Sequence, residues 1–269
     1  MITGLSSYAY TWSIGVPGYN YTPALDLYGL VQKTRMHGLH LLQIADNIPL
    51  HTLNVSEIEK FKKELSKNKI KIEVGGKGLN EENLQRYISI AMQFNSRILR
   101  FVIDDKGAGY KPDLSSVISI IKNSLSTLEK NGIILAIENH DRFRAFEFAR
   151  IIESISSSHV GICLDCANSI GAGEGIFEVV NMLAPYTVNL HLKDISVTRH
   201  VHTMGFDVTG VPFGKGIIPL KWILDKMPES CGTCILELWM PPEASWEKTF
   251  EKEDRWVGES IKYINKILK

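Results

Sequence analysis

Four residues in the second half of the chain are of types that can hold a divalent cation: Glu138, Asp165, His191 and Glu237. Each stands in a short apolar run, "IILAIEN", "VGICLD", "VNLHLKD" and "CILELW". Because side chains alternate along a strand, Glu138 shares its face with His140, His191 with Lys193, and Glu237 with Trp239. Three carboxylates and one imidazole form a hard, oxygen-rich set that suits Mn2+ or Mg2+, with Co2+ as a further option, better than a structural zinc. Burying three carboxylates together without a cation is costly through repulsion and desolvation. Taken singly, each is an ordinary polar group at a strand end. Four together on neighbouring strands call for a metal.

Two other chemistries compete in the stretch "VGICLDCANSIGAGEG". Cys163 and Cys166 have C-x-x-C spacing, and Cys231 with Cys234 repeats it, so a four-cysteine zinc site has to be weighed. The first pair belongs at the top of the sixth strand and the second enters the eighth from the bottom, about 15 Å away. Cys163 reads more simply as a small core residue. The glycines at 171, 173 and 175 start too far beyond Asp165 for a dinucleotide turn. They serve a bend into the next helix, with weak phosphate binding as a minor option.

Eight short apolar runs must carry these residues. They start at Gly4 ("GLSSYAY"), Leu39, Ile70, Arg97, Ile133, Val160, Val188 and Cys234. Helical segments separate them. Pro23–Met36 follows Thr22 as N-cap, and a capping box of Ser56 and Glu59 opens the next. Asn80–Phe94, Asp113–Asn131, Ala145–Ser156, Gly175–Leu183, Pro219–Lys226 and Trp246–Leu268 complete the series. Parallel neighbours need crossover helices, and eight β/α units close a barrel. The expectation is an α/β protein, a single (β/α)8 TIM barrel over residues 1–269. An open doubly wound sheet is the rival, but no glycine fingerprint follows the first strand. In such barrels chemistry sits at the C-terminal strand ends, where the four candidates lie. Residues 195–218, between the seventh strand and its helix, read as a long loop of the kind that forms a lid.

Thirty basic and thirty acidic residues cancel. No basic bias recruits nucleic acid or anionic lipid. The first residues show no secretory leader, and no apolar run is long enough to span a membrane. Four cysteines and no sign of an oxidising compartment suggest a cytoplasmic protein with reduced thiols. A homo-oligomer stays open.

The motifs "AIENHD", "CLDCANS", "NLHLKD" and "ILELW" resemble, in order and across the whole chain, the xylose-isomerase-like barrel superfamily of sugar isomerases and epimerases. That resemblance implies one divalent metal, commonly Mn2+, held by Glu138, Asp165, His191 and Glu237. It also implies that Glu138 and Glu237 act as an acid–base pair on opposite faces of a small carbohydrate. Many epimerase-like members carry D-x-x-H on the sixth strand, whereas this chain has Asp165-Cys166-Ala167-Asn168. Asn168 can hydrogen-bond a hydroxyl or carbonyl but cannot become cationic. The segments "GLSSYAYTWSIGVPG", "QIADNIPL", "RFVID" and "VTRHVHTMGF" are similar to the branch containing 3-oxo-isoapionate decarboxylase.

The implied chemistry is a metal-stabilised enediolate or enolate formed from a keto-sugar or a 3-oxo sugar acid, by isomerisation or epimerisation or, alternatively, by loss of CO2. A substrate carboxylate needs a cationic seat, for which Arg100, Arg142 and Arg199 are candidates. His140, Lys193 and His202 are further substrate contacts, and Trp12 and Trp239 are candidate pocket walls. The DNA-repair endonuclease built on this barrel needs additional ligands on early strands, which "QIADN" and "EVGGKG" lack. A non-catalytic sugar-binding barrel is the alternative of another class.

Overall fold

The computed structural model describes residues 1–268. Apolar, β-branched runs such as "VGICLD" become strands buried on both faces, as parallel sheets covered by helices require. The strands are β1 (Ile2–Ser6), β2 (Leu41–Ile44), β3 (Lys71–Lys77), β4 (Ile98–Val102), β5 (Ile134–Glu138), β6 (Val160–Asp165) and β7 (Thr187–Leu192), then β8 (Asp194–Arg199), β9 (Phe206–Val211) and β10 (Thr233–Leu236). Eight of them close into a parallel barrel in the order β1-β10-β7-β6-β5-β4-β3-β2. That closure excludes the open-sheet rival. β8 and β9 form a separate antiparallel pair.

A short α1 (Thr11–Ile14) precedes the outer ring. The ring comprises α2 (Leu27–Met36), α3 (Val55–Asn68), α4 (Glu81–Gln93), α5 (Leu114–Lys130), α6 (Ala145–Ile155), α7 (Ile176–Leu183), α8 (Leu220–Lys226) and α9 (Trp246–Ile267). In α5 the buried residues Val117, Ile121, Ser124 and Leu128 recur at helical spacing. Each buried aliphatic side chain contributes about 1.5–3 kcal/mol. No helix among the described residues is long and apolar enough to cross a membrane.

Four local expectations are corrected. The first strand stops at Ser6, because its hydroxyl accepts the Tyr8 N–H and starts a 3-10 turn over Ser7–Tyr10. Helix α2 begins at Leu27 rather than Pro23, since Asp26, not Thr22, caps it by accepting the Gly29 N–H. Helix α3 uses Asn54 with Glu57 as its capping box, two residues ahead of Ser56 and Glu59. The segment read as a loop between residues 195 and 218 is mostly the β8–β9 hairpin, which starts at Asp194.

That hairpin is fastened at its base. Buried Asp194 accepts N–H groups from Ile195, Gly214, Gly216 and Ile218, drawing the returning chain around one carboxylate. Only glycine fits at 210, where an added Cβ would lie 1.9 Å from the Trp239 carbonyl oxygen. The hairpin base therefore presses directly on the backbone that carries a pocket-wall tryptophan.

Candidate metal centre

Barrel stagger brings the four expected ligands to one level. Asp165 stands opposite His191 in register, whereas Glu138 pairs with Cys163. Glu237 lies two residues beyond Ile235, the partner of His191, and extends the ladder by donating its N–H to the Leu192 carbonyl. All four are at most 3% exposed. Asp165, His191 and Glu237 each offer a ligand atom within 4.8 Å of the others, and so do Glu138, Cys163 and His191.

His191 is the pivot. Its Nε2 faces the Gln43 Oε1 at 2.8 Å. Its Nδ1 is buried with no hydrogen-bond partner among the described residues, and it looks at Glu237 Oε1 (3.4 Å), Glu138 Oε2 (3.7 Å) and Asp165 Oδ2 (3.8 Å). Ligands sharing one ion with bonds of about 2.0–2.1 Å lie at most about twice that distance apart, and all three separations comply.

Formal charge agrees. Asp46, Glu138, Asp165 and Glu237 set four negative charges against the buried cations Arg100 and Lys193, leaving two that one divalent ion cancels. At the rim Lys77 lies between Asp46 and Asp105, at 3.6 and 3.8 Å. The orphaned Nδ1, the three converging oxygens and the missing charge all fit a hard divalent cation.

The carboxylates are individually held. Asp165 Oδ1 accepts the Ala167 and Asn168 N–H groups, both at 2.8 Å, which aims Oδ2 at the cluster. Glu138 takes Asn168 Nδ2 on Oε1 (2.7 Å) and Arg100 Nε on Oε2. Glu237 takes the Ser6 hydroxyl on Oε1 (2.9 Å), with Lys193 Nζ 3.0 Å from Oε2. Burial pushes the Glu237 carboxyl up, but His191, Lys193 and Arg100 outweigh it and pull it below the usual carboxylate range. Burial likewise works against the Lys193 ammonium, yet Asp165 and Glu237 raise it above an ordinary lysine.

A cavity of about 470 Å3 opens above this cluster. Arg100, Glu138, Lys193 and Glu237 line its charged side, and Trp12, Trp239 and Met240 its apolar side. His140 and Asn168 also line it. Asn168 spends its amide on Glu138 and on the Lys193 ammonium (3.3 Å), so it orients these two. His140 packs its Nδ1 on Asp141 and stays half-exposed. Trp12 donates Nε1–H to the Met240 carbonyl at 2.7 Å, and Lys193 Nζ lies 4.9 Å over the Trp239 ring.

Three expected substrate contacts are not brought to the cavity wall. Arg142 is committed to Asp104 and the Pro112 carbonyl and lies over the Phe143 ring. Arg199 and His202 are on the hairpin, exposed; Arg199 packs on Phe206 and donates to Thr203 O, and His202 stacks with His200. Neither cysteine pair forms a zinc site: the four thiols are free and buried, and no candidate metal grouping among the described residues contains two of them. Sequence reasoning missed Asp46, Gln43, Glu73 and Ser6. Asp46 lies just past the end of β2, Gln43 interrupts that same apolar strand and Glu73 interrupts β3, which is the available signal.

Residues 32–267 match the xylose isomerase-like TIM barrel family. A 3-oxo-isoapionate decarboxylase from Pectobacterium atrosepticum is 30% identical over 268 residues, covering 98% of this chain and 95% of that protein. Among solved structures, a D-psicose 3-epimerase in the presence of D-fructose superposes with a TM-score of 0.72 at 14% identity, over 100% and 99% of the two chains. A xylose isomerase-like TIM barrel protein from Mycobacterium smegmatis, in complex with magnesium, does so at 0.68 and 17% identity, over 97% of each chain. With the barrel closed in this strand order and the match running nearly end to end, the chain belongs to the xylose isomerase-like TIM barrel family.

Proposed function

We propose that the protein is a divalent-metal-dependent decarboxylase of a small 3-oxo sugar acid. One observation carries the choice over epimerisation: both oxygens of both glutamates are already engaged, each glutamate by one buried cation and one neutral donor. Taking a proton from carbon would neutralise a glutamate that pairs a buried cation, Arg100 for Glu138 or Lys193 for Glu237, and leave that cation less compensated, which is costly. Decarboxylation makes no such demand. The bond to the carboxylate carbon breaks, its electron pair passes toward the oxo oxygen as an enolate, CO2 leaves, and a proton returns to carbon. The 30% identical decarboxylase supports the same reading.

Glu138, Asp165, His191 and Glu237 would hold the cation, for which Mn2+ is our choice. When bound, it supplies a Lewis acid for the charge that develops on the substrate oxygen. Arg100 keeps Glu138 oriented through Nε and Asp46 through Nη1, and its remaining guanidinium edge is our seat for the substrate carboxylate. Lys193 carries a proton at Nζ on the cavity wall, beside Glu237 and Asp165, and is our donor to the enolate carbon. The Trp12, Trp239 and Met240 side gives a poorly hydrated wall for the departing neutral CO2. His140 contacts the outer end of the substrate. A reducing cytoplasmic setting agrees with four unpaired thiols.

The test is to incubate the Mn2+-loaded protein with a panel of 3-oxo sugar acids and keto-sugars in deuterated water, and to follow CO2 and product NMR. Release of CO2 with one deuterium at the carbon that lost it is expected. An epimerised ketose without CO2 would overturn the reading.

A further inference from the structure

Barrels of this type ordinarily fill their interior with Val, Ile and Leu. Here β2 and β3 place Gln43 and Glu73 inside, and β7 adds Asn189, none more than 3% exposed. Buried polar groups persist only when their hydrogen bonds are made. These are, in a directional chain. Glu73 Oε2 accepts Gln43 Nε2 at 3.0 Å and Asn189 Nδ2 at 3.1 Å. Asn189 is held further by Thr233 Oγ1 (2.7 Å) and by the Cys163 thiol, which donates to its Oδ1 (3.1 Å).

One carboxylate oxygen receiving both amides fixes which end of Gln43 faces it. The Gln43 oxygen must then face the other way, and it meets His191 Nε2 at 2.8 Å. An amide oxygen only accepts, so the imidazole hydrogen sits on Nε2. Nδ1 is left facing the three carboxylate oxygens, where no group among the described residues donates to it and where a bound cation would take its lone pair. If the Gln43 amide turned over, its NH2 would face Nε2, the hydrogen would move to Nδ1, and the lone pair would be lost to the site.

We propose that Gln43 and Glu73 are positioning residues that set the His191 tautomer from below, so that Nδ1 is delivered as a ligand to the divalent cation. The inference rests on the metal reading above and extends it to two residues that touch neither the cation cluster's oxygens nor the cavity. Partners of this kind behind a ligating histidine typically change metal affinity by about 10- to 100-fold when removed.

The test uses Gln43→Leu, which removes the acceptor, Glu73→Gln, which frees the amide to turn, and the double exchange Gln43→Glu/Glu73→Gln. The exchange restores an acceptor under His191 and a donor beneath that. Imidazole 15N shifts of the metal-free proteins, followed upward in pH until the ring is neutral, read the tautomer, and calorimetric titration with Mn2+ reads affinity. The wild type and the exchange should show Nε2–H. The single variants should shift toward Nδ1–H and bind Mn2+ about 10- to 100-fold more weakly, with recovery in the exchange. A wild-type tautomer and affinity in Gln43→Leu would overturn the proposal, and so would equal losses in the exchange and the single variants. A wild type with the Nε2–H tautomer but no Mn2+ uptake would overturn the metal reading and, with it, the purpose assigned to the pair.

Discussion

At Lys193 the site already contains a cation of its own. Its ammonium lies 2.7 Å from Asp165 Oδ2 and 3.0 Å from Glu237 Oε2, so it competes with a metal for the same carboxylates while partly neutralising them. Replacing it by a neutral side chain of similar length separates these effects. Lys193→Met should destabilise the metal-free protein by about 3–5 kcal/mol, because it leaves buried carboxylates unpaired. The same change should tighten Mn2+ binding and depress turnover, read by urea unfolding, calorimetry and CO2 release. Glu237→Gln removes a ligand charge and should cut turnover on the order of 10^2–10^3-fold or more while the fold persists. Full turnover in that variant would remove Glu237 from the mechanism. The four ligand candidates were legible because carboxylates and an imidazole interrupt apolar runs near their ends. Their pairing with Arg100 and Lys193 was not, since it depends on which inward side chains the barrel stagger sets side by side.

At the scale of elements, two attachments set the shape of the cavity wall. The hairpin base meets Trp239 through Gly210. A methyl group there has no room, so Gly210→Ala should cost about 1–3 kcal/mol by overpacking and raise KM through displacement of Trp239. An unchanged KM would detach the hairpin from the site. Helix α9 holds the other wall. Glu253 accepts the Trp12 and Ser13 N–H groups and the Ser13 hydroxyl. Burial outweighs these three bonds and raises its carboxyl to about 7 from the usual 4.5. The folded protein therefore holds a proton there that the unfolded chain has lost, and stability falls as pH rises from about 4.5 to about 7. The contribution is about 3 kcal/mol at most. Glu253→Gln should flatten the decline of Tm across that window; an equal slope in the variant would contradict it. The hairpin is hard to see in the sequence because its strands "DISVTR" and "FDVTGV" are mostly exposed and carry no continuous apolar run, although their β-branched residues have strand character. The helix starts slipped where two capping residues lie within four positions, as Thr22 and Asp26 or Asn54 and Ser56 do.

For the whole molecule, architecture and chemistry come from one geometric fact. A closed parallel barrel with polar residues on its inner face must put them all in one small, poorly solvated space. Eight apolar runs alternating with amphipathic segments were enough to expect that closure, since strand count and crossover connections leave few alternatives. The interior beneath the mouth was less legible, because Gln43 and Glu73 find their partners only across the closed barrel. The outcome is a cavity with an uncompensated charge of two at its floor and an apolar wall on one side. The most direct test is an anomalous difference map from crystals grown with Mn2+. One strong peak within bonding distance of Glu138, Asp165, His191 Nδ1 and Glu237 is the predicted result. A map with no peak at that position, in a crystal where the four side chains are ordered, would contradict the account.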